Sequence, residues 1–154
     1  MTFLIQALPY EPFAPLFSMS EEALRERRAV RVVADACPGY PCRVSLEDAS
    51  VGEALILVNH AHHTAATPYA ASHAIYVRKD AAQALPAPGE VPGVLSRRPL
   101  SLRAFDAQGM MVAADLADGT VAQGIEAMMA DPAVREVHLH NAKPGCFAAK
   151  AIRA

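Results

Sequence analysis

Apolar residues occur along this chain in short runs whose spacing is mostly that of β-strands. Because the run at 54–60 is apolar at consecutive positions, both of its faces should be covered, as in a central strand. The segment 10–20 sets aromatic and leucine side chains between prolines, and we predict that it lies irregularly on the core. Strands are predicted where apolar or β-branched residues alternate or follow one another, at 3–8, 29–35, 54–60, 73–78 and 134–141.

A β-hairpin is the clearest local prediction. Residues 100–106 and 110–116 place apolar side chains at alternate positions, and the connection DAQG ends at Gly109, which can adopt positive φ. We therefore expect these two runs to pair antiparallel.

Two capping boxes, each a hydroxyl residue followed three positions later by Glu or Gln, indicate where helices begin. Ser18 with Glu21 predicts a helix that runs to about residue 28, and Thr120 with Gln123 predicts a helix at 120–130. A third short helix is predicted from Pro92 to residue 98, since proline is tolerated in a first turn.

Together these elements predict an α+β protein, a single domain over residues 1–154 with a mixed, largely antiparallel sheet and two or three helices. A chain of 154 residues buries about 68–70% of the surface that its unfolded form exposes, so a core needs no disulfides. With 53% hydrophobic and 19% charged residues, the composition is that of a globular protein.

Charge and cysteine content narrow the class of protein. The net charge is −2 and the basic residues do not cluster on one face, so we expect no nucleic-acid partner. No apolar run approaches the ~20 residues of a membrane span, and the N-terminus lacks the basic start of a signal peptide. The three cysteines are an odd number. We therefore predict a cytoplasmic protein in which Cys37 and Cys42 are reduced and dispensable.

The stretch VHLHNAKPGCFAAK, residues 137–150, concentrates residues that can carry chemistry. On a strand, Glu136, His138 and His140 share one face, and two histidines with a carboxylate suit zinc or iron. The same three side chains equally suit the solvated face of a half-covered sheet, since Val137 and Leu139 form the apolar face.

Cys146 follows a proline and a glycine that are typical of a type II turn. The turn predicts a returning strand that brings Cys146 close to His140 and Asn141, where a protonated His140 would stabilise the thiolate of a nucleophilic cysteine. A helix that begins at Cys146 would activate the thiol through its dipole. The third interpretation is a buried cysteine that acts as a small apolar side chain.

Two further segments offer binding residues. Arg43 precedes a turn and can hold a substrate carboxylate or pair internally with Glu47 or Asp48. The segment HAHHTAATPYAASH, residues 60–73, holds four of the six histidines and is interpreted as a polar loop after a buried strand, with or without a role in binding. Nucleotide-binding and hydrolase motifs are absent, and we predict no cofactor.

Four blocks of the sequence together resemble the bacterial domain of unknown function 1203 family, along essentially the whole chain. The resemblance implies a small single-domain bacterial protein, and it brings no catalytic residues with it. It also implies that Cys42, His62, Tyr69, Asn141 and Cys146 have equivalents in the family, which often has other residues at the positions of Cys37, His60 and His63. The blocks are PCRVSLEDA (41–49), LVNHAHHTAATPYAASHAIYVR (57–78), RAFDAQGMMVAADLADG (103–119) and HLHNAKPGCFAAK (138–150).

Three functions are consistent with these observations. The first is a small-molecule-binding protein or enzyme for an anionic ligand. Its pocket would use Cys146 and His140 as nucleophile and base, and Arg43, His62, Tyr69 and Asn141 for binding. The second is a non-catalytic binding or structural domain, expected to be a homodimer. The third is a divalent-metal protein that uses the His-x-His strand.

Overall fold

The computed structural model describes residues 2–154, which form eight strands, three α-helices and one 3-10 helix. Every predicted strand is present, and the α+β single domain is confirmed. The helices are the 3-10 helix Ala14–Ser18, α1 (Glu21–Glu26), α2 (Gly93–Ser96) and α3 (Val121–Met129). The strands are β1 (Phe3–Gln6), β2 (Ala29–Val33), β3 (Ala54–His63), β4 (Ala71–Arg78), β5 (Leu100–Phe105), β6 (Met111–Ala117), β7 (Glu136–Asn141) and β8 (Phe147–Arg153).

The strands divide into two antiparallel sheets. One sheet has five strands in the order β1-β8-β7-β5-β6, and the other has three in the order β2-β3-β4. The predicted hairpin is confirmed, since β5 pairs antiparallel with β6 and Gly109 in the turn has a φ of 80°. The second predicted hairpin is also present, because β7 pairs antiparallel with β8 after a turn in which Gly145 has a φ of 76°.

The helix starts differ in detail from the predicted capping boxes. Ser20 caps α1, with its side chain accepting a hydrogen bond from the backbone N–H of Ala23 at 3.1 Å. Ser18 instead donates to the carbonyl of Pro15, because the preceding residues form the 3-10 helix. Thr120 is the N-cap residue of α3, but its side chain makes no capping hydrogen bond. The prediction therefore placed the helices correctly and their capping contacts wrongly.

The two sheets pack into two different apolar cores. Helix α3 packs on the five-stranded sheet, and a Cβ added at Gly124 would lie 2.6 Å from Leu102 Cδ1, so the glycine permits the close approach. The three-stranded sheet packs Ile56 and Val58 against Phe13 and Leu16 of the irregular N-terminal segment, as predicted for that segment. Within residues 2–154, no helix is long and apolar enough to cross a membrane.

The segment 60–73 is not the polar loop that its sequence suggested. Strand β3 continues to His63 and β4 begins at Ala71, so that His60 pairs directly with His73. The alternation of Ile56 and Val58 therefore extends through His60 and His62, and these imidazoles lie on the same face of the sheet as the apolar core.

Candidate functional site

All six histidines of the chain meet in one layer between the two sheets. The ring centroids of His62 and His73 are 4.8 Å apart, and those of His62 and His140 are 4.9 Å apart. The ring of Phe147 stacks on His62 at 4.9 Å and lies 6.3 Å from the ring of His60. We call this set the histidine layer; its members are His60, His62, His63, His73, His138 and His140.

The face of β7 that carries Glu136, His138 and His140 is therefore covered. His138 is 1% exposed and His140 is 0% exposed, because β3 and β4 lie against them. The interpretation of this face as a solvated surface is wrong. Strand β7 is buried on both sides, since Val137 and Leu139 pack into the core under α3 on the other face.

A chain of hydrogen bonds orders the imidazoles from one end of the layer to the other. Glu136 Oε1 lies 2.9 Å from His138 Nε2, His138 Nδ1 lies 3.2 Å from His62 Nδ1, and His62 Nε2 lies 2.8 Å from His73 Nδ1. Because the carboxylate only accepts, His138 donates from Nε2 and accepts at Nδ1. His62 then donates from Nδ1, and its Nε2 holds a lone pair that points towards His73.

His140 has a similarly defined tautomer. Its Nδ1 donates to the carbonyl of Gly145 at 2.9 Å, so its Nε2 carries the lone pair. That Nε2 is buried and has no hydrogen-bond partner within residues 2–154. An unsatisfied buried acceptor costs about 1–3 kcal/mol, so it calls for a physical reason.

Burial disfavours the charged form of the imidazoles of His62, His73 and His140. Removal from water lowers the pKa of His62 to about 3 and the pKa of His140 to about 3. The other imidazoles nearby lower the pKa of His62 further, whereas for His140 the hydrogen bond to Gly145 opposes the shift and Arg103 adds to it. Burial also lowers the pKa of His73. The hydrogen bond from His138, followed by the charge of Lys150, holds the pKa of Glu136 down at about 2. His62, His73 and His140 are therefore neutral at physiological pH, and the Glu136 carboxylate lies at one end of the layer.

A cleft of about 610 Å³ opens beside the layer, and Arg43, Asn141 and Cys146 line it together. Arg43 is 2% exposed and donates from Nε to the carbonyl of Phe147 at 2.8 Å and from Nη1 to the carbonyl of Pro41 at 2.6 Å. Its Nη2 lies 3.1 Å from the Sγ of Cys146. Burial lowers the pKa of the Arg43 guanidinium, and the nearby sulfur of Cys146 opposes that shift.

Neither predicted partner of Arg43 is found in contact with it. Asp48 pairs with Arg98 at 2.6 Å, and Glu47 lies 3.9 Å from Arg78. Within residues 2–154, Arg43 has no carboxylate within 4.0 Å, and its guanidinium is held by two carbonyls and a thiol.

The cysteines differ strongly in their surroundings. Cys146 is half-buried, and its Sγ also lies 3.5 Å from the amide nitrogen of Asn141, whereas His140 bonds the adjacent carbonyl of Gly145. A strand follows Cys146, so the alternative helix start is absent. Cys37 is exposed and Cys42 is buried, and no cysteine forms a disulfide.

Five of the six predicted site residues lie in two neighbouring parts of the structure, the cleft and the histidine layer. Arg43, Asn141 and Cys146 line the cleft, and His62 and His140 belong to the histidine layer, which reaches the cleft through His73. Tyr69 lies apart: it is 38% exposed, and its ring packs edge-on against Phe105 at 6.3 Å.

Sequence reasoning did not single out His73, although it is the residue that the two places share. The signal was available in the period-two spacing of His73, Ile75 and Val77, which places the imidazole on the core face of β4.

The fold and the site define an α+β domain with a buried histidine layer beside a cleft that contains a cysteine and an arginine. A family model described as a protein of unknown function (DUF1203) matches residues 39–153. The chain belongs to this family, as its sequence blocks predicted. The matched residues contain the cleft and the whole histidine layer. Searches of curated proteins and of solved structures found no match to the chain.

Proposed function

We propose that the protein binds a small anionic molecule in the cleft and that the Cys146 thiolate is its reactive group. The environment of Arg43 supports this function. Arg43 is 2% exposed, it has no carboxylate partner within residues 2–154, and its Nη2 lies 3.1 Å from the Sγ of Cys146.

A buried guanidinium needs a compensating negative charge. Isolated ions are costly to bury, and buried charges in proteins are paired or coordinate metals. Of the three groups that accept hydrogen bonds from Arg43, two are carbonyls and only Cys146 can ionise. Reactive cysteines in proteins lie beside a cation, and the sulfur of Cys146 has Arg43 at 3.1 Å and a second donor, the Asn141 amide, at 3.5 Å. Arg43 thus takes the electrostatic role that the sequence suggested for His140.

The lining of the cleft favours an anionic ligand. Arg98 and Lys143 lie on its wall, and within residues 2–154 Lys143 has no ion-pair partner. Tyr76 and Pro99 supply apolar surface, and the volume of about 610 Å³ suits a molecule of metabolite size. The three free cysteines further support our proposal that the protein is cytoplasmic. The resemblance of its sequence blocks to a bacterial family is the basis on which we also propose a bacterial source.

Iodoacetamide labelling tests whether Cys146 is a reactive thiolate. Mass spectrometry measures the labelling of each cysteine on its own peptide, so the rates of the three cysteines can be compared in the same sample. The thiolate displaces iodide and forms a C–S bond. At pH 6.5 we expect Cys146 to react roughly tenfold faster than Cys37, although Cys37 is the more exposed. Buried Cys42 should remain unlabelled, which shows that the protein is folded.

The Arg43→Met variant should slow the labelling of Cys146 by roughly tenfold and leave the labelling of Cys37 unchanged. Inorganic phosphate and short dicarboxylates should protect Cys146 in the wild type and protect it less in Lys143→Gln. If Cys146 reacts only in denaturant, or if Arg43→Met does not change its rate, the proposed function is wrong.

The second hypothesis, a non-catalytic homodimer, stays a prediction that one observation favours. Strand β6 is an edge strand, and Leu116 on it is 74% exposed. An exposed edge strand with apolar side chains can pair with the same strand of a second copy of the protein, which gives a dimer with a two-fold axis. Sedimentation equilibrium of the wild type and of Leu116→Lys tests this: a dimer that the substitution disrupts supports it, and a monomeric wild type refutes it.

A further inference from the structure

We propose that His62, His73 and His140 form a binding site for a divalent transition-metal ion, with zinc as the best fit. This site does not depend on the Cys146 thiolate. Its ligands differ from the His138–His140–Glu136 set that the sequence suggested, since only His140 belongs to both.

The three ligands come from three different strands. His62 lies on β3, His73 on β4 and His140 on β7, so the ion would join the two sheets. Each histidine offers one ring nitrogen, and these nitrogens lie within 4.8 Å of one another. Zinc–nitrogen bonds of about 2.0–2.1 Å place two nitrogens of a tetrahedral site about 3.4 Å apart. The His62–His73 pair, at 2.8 Å, needs to open by about 0.6 Å, and nitrogens as far apart as 4.8 Å need to approach by up to about 1.4 Å.

Existing hydrogen bonds already orient the lone pairs of His140 and His62. His140 donates its Nδ1–H to Gly145, and its Nε2 is buried without a partner. His62 donates its Nδ1–H to His138, which Glu136 holds in turn, so its lone pair is on Nε2. That Nε2 accepts the Nδ1–H of His73 at 2.8 Å, and a bound ion would replace this hydrogen bond, with the proton of His73 moved to its other ring nitrogen or released. A ligating histidine usually donates its second nitrogen to a carbonyl or to a carboxylate-linked group, which orients the ring. A metal ion would also satisfy the orphaned Nε2 of His140.

A second set of residues in the layer has metal-binding composition but is already engaged. In the set His63, Glu136 and His138, His63 Nε2 donates to the carbonyl of Gly109 at 2.9 Å. Glu136 accepts from His138 and lies 3.3 Å from the ammonium of Lys150. Glu136 and His138 therefore orient His62 from behind, His63 is bonded to a loop carbonyl instead, and the nitrogens that can coordinate an ion belong to the first set.

Three neutral imidazoles define the class of ion. This donor set suits zinc, cobalt, nickel and copper, and it is unsuited to calcium or magnesium, which require oxygen ligands. Three protein ligands also leave a fourth position for water or a small anion, as in catalytic rather than structural zinc sites.

Cobalt binding to tag-free, chelator-treated protein tests the site directly. Visible absorption reports tetrahedral Co²⁺, and displacement by Zn²⁺ reports zinc affinity. We expect one ion per chain in the wild type. His73→Ala and His62→Ala should reduce the affinity at least 100-fold, and His138→Ala should reduce it 10- to 100-fold because it releases the orientation of His62.

Three matched variants keep the test specific. His60→Ala, in the same layer but outside the set, should bind the ion like the wild type, and so should His63→Ala. Cys146→Ser should also retain full binding, which separates this site from the thiolate. His73→Ala is the principal variant because that side chain is only half-buried, and circular dichroism would confirm its fold. Binding that survives His73→Ala, binding lost in His63→Ala, or less than stoichiometric binding in the wild type would overturn the proposal.

Discussion

The pairing of Arg43 with Cys146 can be tested as an energy of interaction. We consider Arg43→Met, Cys146→Ala and the double variant, each unfolded with urea at pH 8. Arg43→Met removes donors from the carbonyls of Phe147 and Pro41, so the single substitution should cost about 3–5 kcal/mol of unfolding free energy. Cys146→Ala leaves the buried guanidinium without its counter-charge and should cost about 2–4 kcal/mol.

The coupling between the two substitutions distinguishes a thiolate from a thiol. Two unit charges 3.1 Å apart attract each other by about 5 kcal/mol at an effective dielectric constant of 20. Because Cys146 is only half-buried, solvent reduces this attraction, and we expect a coupling of about 2–4 kcal/mol. A hydrogen bond to a neutral thiol would contribute only about 1 kcal/mol.

A suitable control for the cycle is Arg43→Met combined with Cys37→Ala, because Cys37 is exposed and does not contact the guanidinium. These two substitutions should be additive within about 0.5 kcal/mol. A coupling below about 1 kcal/mol for Arg43 and Cys146 would refute the charged pair and with it the electrostatic argument for a reactive cysteine.

Three further predictions follow from burial and backbone geometry. Burial lowers the pKa of His140 from 6.5 in the unfolded chain to about 3, so the unfolded state takes up the proton first as pH falls. In metal-free protein this residue alone should contribute a loss of roughly 3–5 kcal/mol of stability between pH 7 and pH 3, and His62, whose pKa is also lowered to about 3, should add to it. His140→Gln should remove only the His140 part from the pH profile of urea unfolding. Gly119→Ala should lower the free energy of unfolding by about 1–2 kcal/mol, because Gly119 has a φ of 71° but open space around it. Gly109→Ala should lower it by about 2–4 kcal/mol, because at a φ of 80° the new Cβ would also lie 2.4 Å from the Cβ of Ala65. Equal shifts in the urea midpoint of the two variants would contradict this. Cys37→Ser should change the free energy of unfolding by less than about 0.5 kcal/mol, because Cys37 is exposed. Cys42→Ser should lower it by about 1–3 kcal/mol in the same urea assay, because Cys42 is 1% exposed and the substitution buries a hydroxyl group.

Local signals determined the elements of this protein. The hairpin of β5 and β6 follows from two alternating runs around a turn glycine, and both features lie within about twenty residues of one another. The turn before β8 was likewise predicted from a proline and a glycine. The sequence pattern did not determine which serine caps α1. Ser18 and Ser20 both precede this helix, and the local backbone conformation decides which side chain reaches a backbone N–H.

Only the tertiary structure decided how these elements combine into a site. Arg43 meets Cys146 across 103 positions of the chain, and His62 meets His138 across 76. A period-two pattern tells which residues share a face of a strand, but it carries no information about which strand lies opposite that face. The strand 136–141 was thus predicted correctly, while the burial of its histidines depended on a second sheet. The sequence by itself determines an α+β domain of this family; the packing of two sheets determines that its histidines converge and that its arginine faces a cysteine.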